Sequence, residues 1–436
     1  MCIVLNATPT HLIFSPAAVS SIFKARTLSR FRLDQQLGRN VLGMTAAEAA
    51  KTFPDDLDAK EQLTTERIHS AALLSTSAVN ALTSRFMQEF TAQLARDKPD
   101  EEVELYSWLR NHMLRASTIS LCGSTILDHV PNLPTDFWRW DDGLIGMLFG
   151  TPRLFAKEAY DARDRLLDGL TGWLEAGYAA TAQAESTDVD WEPHFGARVM
   201  HKRHEYYAQQ RLTLRTQAGA DLIFLGGILS NAIPATGWLL MHLLDPGTDD
   251  DILRDVLAEL RTAERADGTI DIATLTSLPL LNSTFHEVLR LYVDLLVTRQ
   301  VDAPTTLEAY SVGAGEMVMA PTWMVHRNPA FFANPDTFQP RRFLVTDPEA
   351  GKVKCDVNGL GGKYFPFGGG HYMCPGRTFA KQEVLGAVAV VLLGNDVEVK
   401  GFKDGKGFPR LKNGLAGNVV VGLEGDMKVK MKRRRG

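Results

Sequence analysis

The chain has 436 residues, 45% of them apolar and 23% charged, with 36 Gly and 20 Pro. Collagen-like, coiled-coil and disordered classes need a stronger bias than this, and the length exceeds the usual single-core size. A balance of 47 basic against 52 acidic residues, net −5, lacks the cationic excess that a nucleic-acid footprint requires.

The opening residues, MCIVLNATPTHLIFSP, hold no basic region and no long apolar run, so neither a signal peptide nor an anchor is read there. Ser15-Pro16 opens a short amphipathic helix. A longer helical pattern runs over 64–94 on Ile68, Leu73, Leu74, Val79, Leu82, Phe86 and Phe90, and 102–121 continues in the same style. The stretch 128–191, rich in Trp, Phe, Pro and Gly, predicts loops and shorter helices. Residues 218–244 are long and apolar enough to cross a bilayer. They also contain Asp221, Asn231 and Pro234, and read as the buried central helix of a large protein. Helices over 249–265 and 278–292 follow. Beyond Tyr292 the segments LLVTRQV, SVGAGEMVMAP and NVVVGLEGDMKVKMK alternate β-branched runs with Gly, which predicts short strands. A last helix begins after Cys374, with Pro375 in its first turn. The basic tail from Lys428 to Arg435 reads as a solvated end. With no repeat and no linker, the expected fold is mainly α with a small β portion, an α+β arrangement, in one domain over 1–436.

The four cysteines, Cys2, Cys122, Cys355 and Cys374, form no CxxC pair, which argues against a disulfide framework or a zinc cluster and for reducing, intracellular surroundings. Cys374 lies in FPFGGGHYMCPGRTFAKQE, where glycines admit close backbone approach and a following helix offers free N–H groups that favour a thiolate. Phe365 and Phe367 are expected to put apolar surface beside the sulfur. A nucleophilic cysteine served by His371, a haem-iron ligand and a plain Gly-rich turn are all compatible with these residues.

Phe367, Gly370, Cys374 and Gly376 resemble the FxxGxxxCxG core of the cytochrome P450 haem loop. Glu287 and Arg290 (HEVLR) resemble the ExxR pair of that family. Arg342 in NPDTFQPRRF is similar to its third partner, and Arg299 to an arginine on a haem propionate. His69 stands on a helix that the resemblance puts near a propionate. The segment SNAIPATGW resembles the branch containing cholesterol 7α-hydroxylase and prostacyclin synthase. Since the likeness starts at about Thr10, the membrane anchor, first helix and first strand usual in the family are expected to be missing. Two departures stand out. Tyr372 occupies a position usually Arg or His, and Ser230 and Asn231 replace an acid–threonine pair on the central helix, leaving no carboxylate there.

The resemblance implies haem b held by Cys374, and a monooxygenase acting on an apolar small molecule, in specialised metabolism. It implies electrons from an NADPH-cytochrome P450 reductase, with Ser230, Asn231 and water managing protons. No nucleic-acid partner is expected; membrane association, at the endoplasmic reticulum, comes only from the family. An isomerase or dehydratase working without external electrons is a second expectation, favoured by Ser230 and Asn231, and an inactive haem-binding paralogue a third. Phe137, Trp138, Trp140, Phe149 and Phe155 either line the substrate pocket or pack the core. His201 and His204 (HKRHEYY) read as surface residues.

Overall fold

The computed structural model describes residues 1–5, 7–54, 65–97, 101–182, 190–245, 247–248, 251–349, 351–412, 417 and 419–434. Thr64, Asp249 and Arg435, ends of segments read from the sequence, lie outside the described residues. The fold is mainly helical with small sheets, as expected.

The 64–94 pattern becomes two helices, Thr65–Leu74 and Thr76–Leu94. Ser75 between them is extended at φ −69°, ψ 119°, and serine favours such an N-cap conformation over a helix interior. Residues 102–121 divide into a strand, Glu102–Glu104, and a helix, Leu105–Cys122. The 128–191 stretch is more helical than its composition suggested, with Leu133–Leu148 and Lys157–Thr181 as its main elements.

The helix Leu214–Leu244 runs through the middle of the bundle and is buried along most of its length. Thr213 caps it, its hydroxyl accepting from the Thr216 N–H at 3.3 Å. It is long and apolar enough to span a membrane, yet its apolar surface is spent on other helices. Its glycines let neighbours come close. A Cβ on Gly226 would lie 3.0 Å from the Trp140 ring, and one on Gly237 2.8 Å from Tyr106. Gly227 differs: a Cβ there would meet nothing within 4 Å.

A five-stranded sheet lies beside the bundle in the order Cys2–Leu5, Thr8–Leu12, Met317–Pro321, Leu296–Val301, Leu28–Ser29. Only the contact between Thr8–Leu12 and Met317–Pro321 is parallel. A second apolar cluster under this sheet gathers Ile13, Val19, Ile22, Val297, Val318 and Phe365. A three-stranded sheet joins Asn395–Phe402, Met427–Arg433 and Glu102–Glu104.

Candidate functional site

The loop before the helix Arg377–Gly394 is pressed onto the first helix, Pro16–Lys24. A Cβ on Gly369 would lie 2.5 Å from the Phe23 ring, and one on Gly370 only 1.9 Å from the Phe23 carbonyl oxygen. Gly370 also has φ +65°, a left-handed conformation that glycine adopts without strain. Cys374 N–H donates to the Phe367 carbonyl at 3.0 Å, and Arg377 Nη1 donates to the Cys374 carbonyl at 2.9 Å. The helix starts later than expected. Gly376 is its N-cap, so Pro375 precedes the first helical position and Cys374 stands one residue further out. Burial pushes the Cys374 thiol up, while the Gly376 N–H, the Arg377 and Arg30 charges and the Arg377 N–H pull it back toward the thiolate. The two phenylalanines part company. Phe367 packs at the edge of the main core, but Phe365 turns under the sheet, edge-on to Phe23 at 5.7 Å between centroids.

Glu287, Arg290 and Arg342 meet as expected. Arg290 donates to both Glu287 oxygens at 2.8 Å, and Arg342 Nε donates to Glu287 Oε2 at 2.9 Å. Arg290 Nη1 also reaches the carbonyls of His326 and Pro335, at 3.0 and 2.6 Å. The triad therefore ties the helix Pro279–Tyr292 to the segment that leads into the cysteine loop. Asp251 and Arg254, at the same spacing, form an exposed surface pair instead.

Arg299, on the strand Leu296–Val301, is buried with its guanidinium 4.6 Å over the Tyr372 ring. Its Nη1 donates to the Thr298 carbonyl, and no carboxylate among the described residues is hydrogen-bonded to it. Burial, then the nearby Arg30 charge, push it down to about 10. Arg30 itself lies 5.8 Å from the centre of the same Tyr372 ring. Two guanidiniums thus gather on Tyr372, where the family pattern has a single basic residue.

His69 is turned elsewhere, against Arg203 and stacked on Phe224 at 4.8 Å. His201 and His204 are not surface residues. Both are buried; His204 Nε2 is 2.9 Å from Asp221 Oδ2, and His201 Nε2 is 3.3 Å from Glu192. Asp221 also receives Arg203, at 3.0 Å, so this is a closed internal ion cluster. No three metal-ligating side chains converge among the described residues.

On the central helix, Ile223, Gly227, Ile228, Ser230 and Asn231 are less enclosed than their neighbours and mark an open face. The Asn231 amide donates to the Gly227 carbonyl at 2.8 Å, and its oxygen accepts from the Val420 N–H at 3.1 Å. Ser230 Oγ donates to Asp141 Oδ1 at 2.5 Å. A carboxylate is therefore present at this place after all, brought by the helix Leu133–Leu148. A Cβ on Gly417 would lie 3.7 Å from Leu296 and 3.9 Å from Ile145, and one on Gly368 4.0 Å from Leu295. One apolar wall thus links this helix, the strand start and the cysteine loop. Phe137, Trp138 and Trp140 pack the core, while Phe149 and Phe155 are 58% and 78% exposed and do neither of the expected things.

The Cytochrome P450 family model matches residues 1–415. Similar proteins include cytochrome P450 monooxygenase calL of Penicillium decumbens, 29% identical over 84% of this chain and 71% of its own length. Cytochrome P450 monooxygenase fsoE of Humicola fuscoatra is 27% identical over 99% of this chain and 81% of its own. Cytochrome P450 7A1 of Oryctolagus cuniculus is 25% identical over 77% and 69%.

Proposed function

The chain belongs to the cytochrome P450 family, and on that premise we propose that it is a haem-thiolate monooxygenase oxidising an apolar small molecule in specialised metabolism, with electrons from an NADPH-dependent reductase. The observation that carries this reading is the cysteine loop, in which one sulfur faces two backbone N–H groups beside a buried cation to which no carboxylate among the described residues is hydrogen-bonded. Fungal relatives named cytochrome P450 monooxygenases support the same reaction class.

These residues fit haem b. Cys374 would hold the iron as a thiolate, with Phe367, Gly370 and Gly376 shaping the loop around it. Arg299, with Arg30 beside the same Tyr372 ring, would take a propionate, which supplies the negative charge that a buried guanidinium requires. Haem, when bound, supplies the iron that activates dioxygen. The protein's part is to exclude bulk water with the wall of Ile145, Leu295 and Leu296, to hold the open face of the central helix in register through Asn231, and to offer Ser230 as a proton-bearing hydroxyl. The isomerase reading rested on a missing carboxylate at Ser230, and the bond to Asp141 takes that ground away. The reaction needs its reductase at hand, which places the protein inside the cell. We also read 1–436 as one domain, since the sheet pairs strands from its first twelve residues with Met317–Pro321.

The test is the reduced, carbon monoxide-treated protein. A strongly red-shifted Soret band that Cys374→Ser abolishes is expected. Protein that takes up no haem, or a band indifferent to that substitution, ends the reading.

A further inference from the structure

We propose that Asp141 supplies protons to the open face of the central helix through the hydroxyl of Ser230. The inference rests on the monooxygenase reading, in which one oxygen atom leaves as water and protons must be delivered for it.

Packing fixes the contact. The Trp140 ring fills the place that a side chain on Gly226 would take, which sets Asp141 against Ser230 one helical turn further along. Ser230 belongs to the open face marked by Gly227, so the donor end of the pair looks inward. The other end looks outward. Asp142, next in sequence, is exposed and ion-paired with exposed Lys412. The charges that face Asp141 are Asp142 on its own helix, Lys412 from the chain after the strand Arg410–Leu411, and Arg110 from Leu105–Cys122; the Tyr106 phenol lies near it too. Arg110 is held over Trp138 at 4.3 Å and does not close an ion pair with the carboxylate. Burial raises Asp141, the Ser230 bond lowers it, Asp142 raises it and the two cations lower it, leaving it pushed up to about 6. A proton donor works best with its pKa near the operating pH.

The transfer balances without electrons. In the ionised state Ser230 donates to Asp141. Once Asp141 is protonated the bond reverses, the Asp141 O–H donating to Ser230 Oγ and the Ser230 hydroxyl turning to the open face, so that the Asp141 O–H bond breaks and its proton passes to Oγ as Ser230 releases its own proton to water there. The Asp141 carboxylate is then reprotonated from solvent beside Asp142 and Lys412. Asn231 cannot share this task, because an amide holds its protons and both its ends are engaged. Asp141 is a positioning residue acting through Ser230.

The holoenzyme with its reductase, NADPH and dioxygen provides the test, read as the ratio of water to hydrogen peroxide formed across pH. The wild type should show a ratio that falls as pH rises through about 6. Asp141→Asn should flatten that profile and lower the ratio by about 10-fold or more, Ser230→Ala should do the same, and Asp141→Glu should restore it. Infrared difference spectra of the same proteins give a reading apart from activity: a protonated carboxyl band that titrates near pH 6 and is absent from Asp141→Asn. An unchanged pH profile, or a titrating band that survives in Asp141→Asn, overturns the proposal. The carbon monoxide band of each variant separates the two readings, for its persistence leaves the haem-thiolate assignment standing while the proton route falls.

Discussion

Arg290 holds Glu287 by two parallel hydrogen bonds of 2.8 Å, and neither side chain reaches solvent. Arg342 adds a second cation to the same carboxylate, and the Gln339 N–H adds a fourth bond at 2.9 Å. Removing the acid leaves two guanidiniums facing each other in a buried space. Breaking a buried pair in this way costs about 3–5 kcal/mol. Glu287→Ala is therefore expected to lower the urea midpoint by that equivalent, or to prevent folding. A loss under about 1 kcal/mol would show that the triad does not hold the segment after Pro335.

Gly370 tests the cradle. Its φ of +65° alone would cost an alanine about 1–2 kcal/mol, and the Phe23 carbonyl at 1.9 Å from the new Cβ adds a backbone clash. Gly359 has φ +77° with open space around it, so Gly359→Ala carries the conformational cost only. Gly370→Ala should destabilise the protein clearly more than Gly359→Ala and should lower haem content as well. Equal effects of the two substitutions on thermal melting would contradict the close packing of this loop on the first helix.

Arg299→Met separates folding from cofactor retention. A buried guanidinium to which no carboxylate among the described residues is hydrogen-bonded is a cost to the haem-free protein, and an apolar side chain of similar length relieves it. The haem-free variant should be as stable as wild type or more so, while haem dissociates roughly 10-fold faster or more, by analogy with the loss of one charge-assisted bond. Transfer of haem to an apo-acceptor protein measures the second quantity. Stability and retention falling together would mark Arg299 as a framework residue only.

Much of the framework was legible because it is written in short spacings. The cysteine loop, the Glu287–Arg290 pair and the long apolar helix each carry a local pattern that survives without tertiary knowledge. What escaped was set by distant partners. HKRHEYY looks like a solvated face until Asp221, 17 residues beyond His204, supplies the charge that lets His204 go inside, with Glu192 beside His201. Arg30 joins Arg299 only because the chain after Leu28–Ser29, the strand Leu296–Val301 and the cysteine loop converge on Tyr372, and no motif announces that. No local pattern in the sequence distinguishes Asp141 from Asp142, yet the Trp140–Gly226 contact turns one inward and leaves the other out. The split at Ser75 had a signal, the cluster Ser75-Thr76-Ser77, which a continuous apolar period masked.

Glu383 gives a pH dependence of stability whose sign can be worked out. Its carboxyl is fully buried between Arg377–Gly394 and Leu105–Cys122, paired with the Ser117 hydroxyl, and its Oε2 has no other partner among the described residues. Ser117 Oγ also lies 2.8 Å from the Met113 carbonyl, and a serine has one proton to give. The arrangement is satisfied when Ser117 donates to Met113 and a protonated Glu383 donates to Ser117. Burial accordingly pushes Glu383 up to about 8, above its unfolded value of 4.5. With the folded pKa the higher, the folded state keeps the proton that the unfolded state has lost. The contribution is complete below pH 4.5 and is lost as pH rises toward 8, at up to about 1.4 kcal/mol per pH unit. Glu383→Gln keeps the shape and removes the titration. Its stability relative to wild type should climb between pH 5 and pH 8 and level off above, as read from urea midpoints at matched ionic strength. A difference that stays constant over that range would mean the carboxyl is ionised in the folded protein, with the Ser117 proton turned toward it instead of toward Met113.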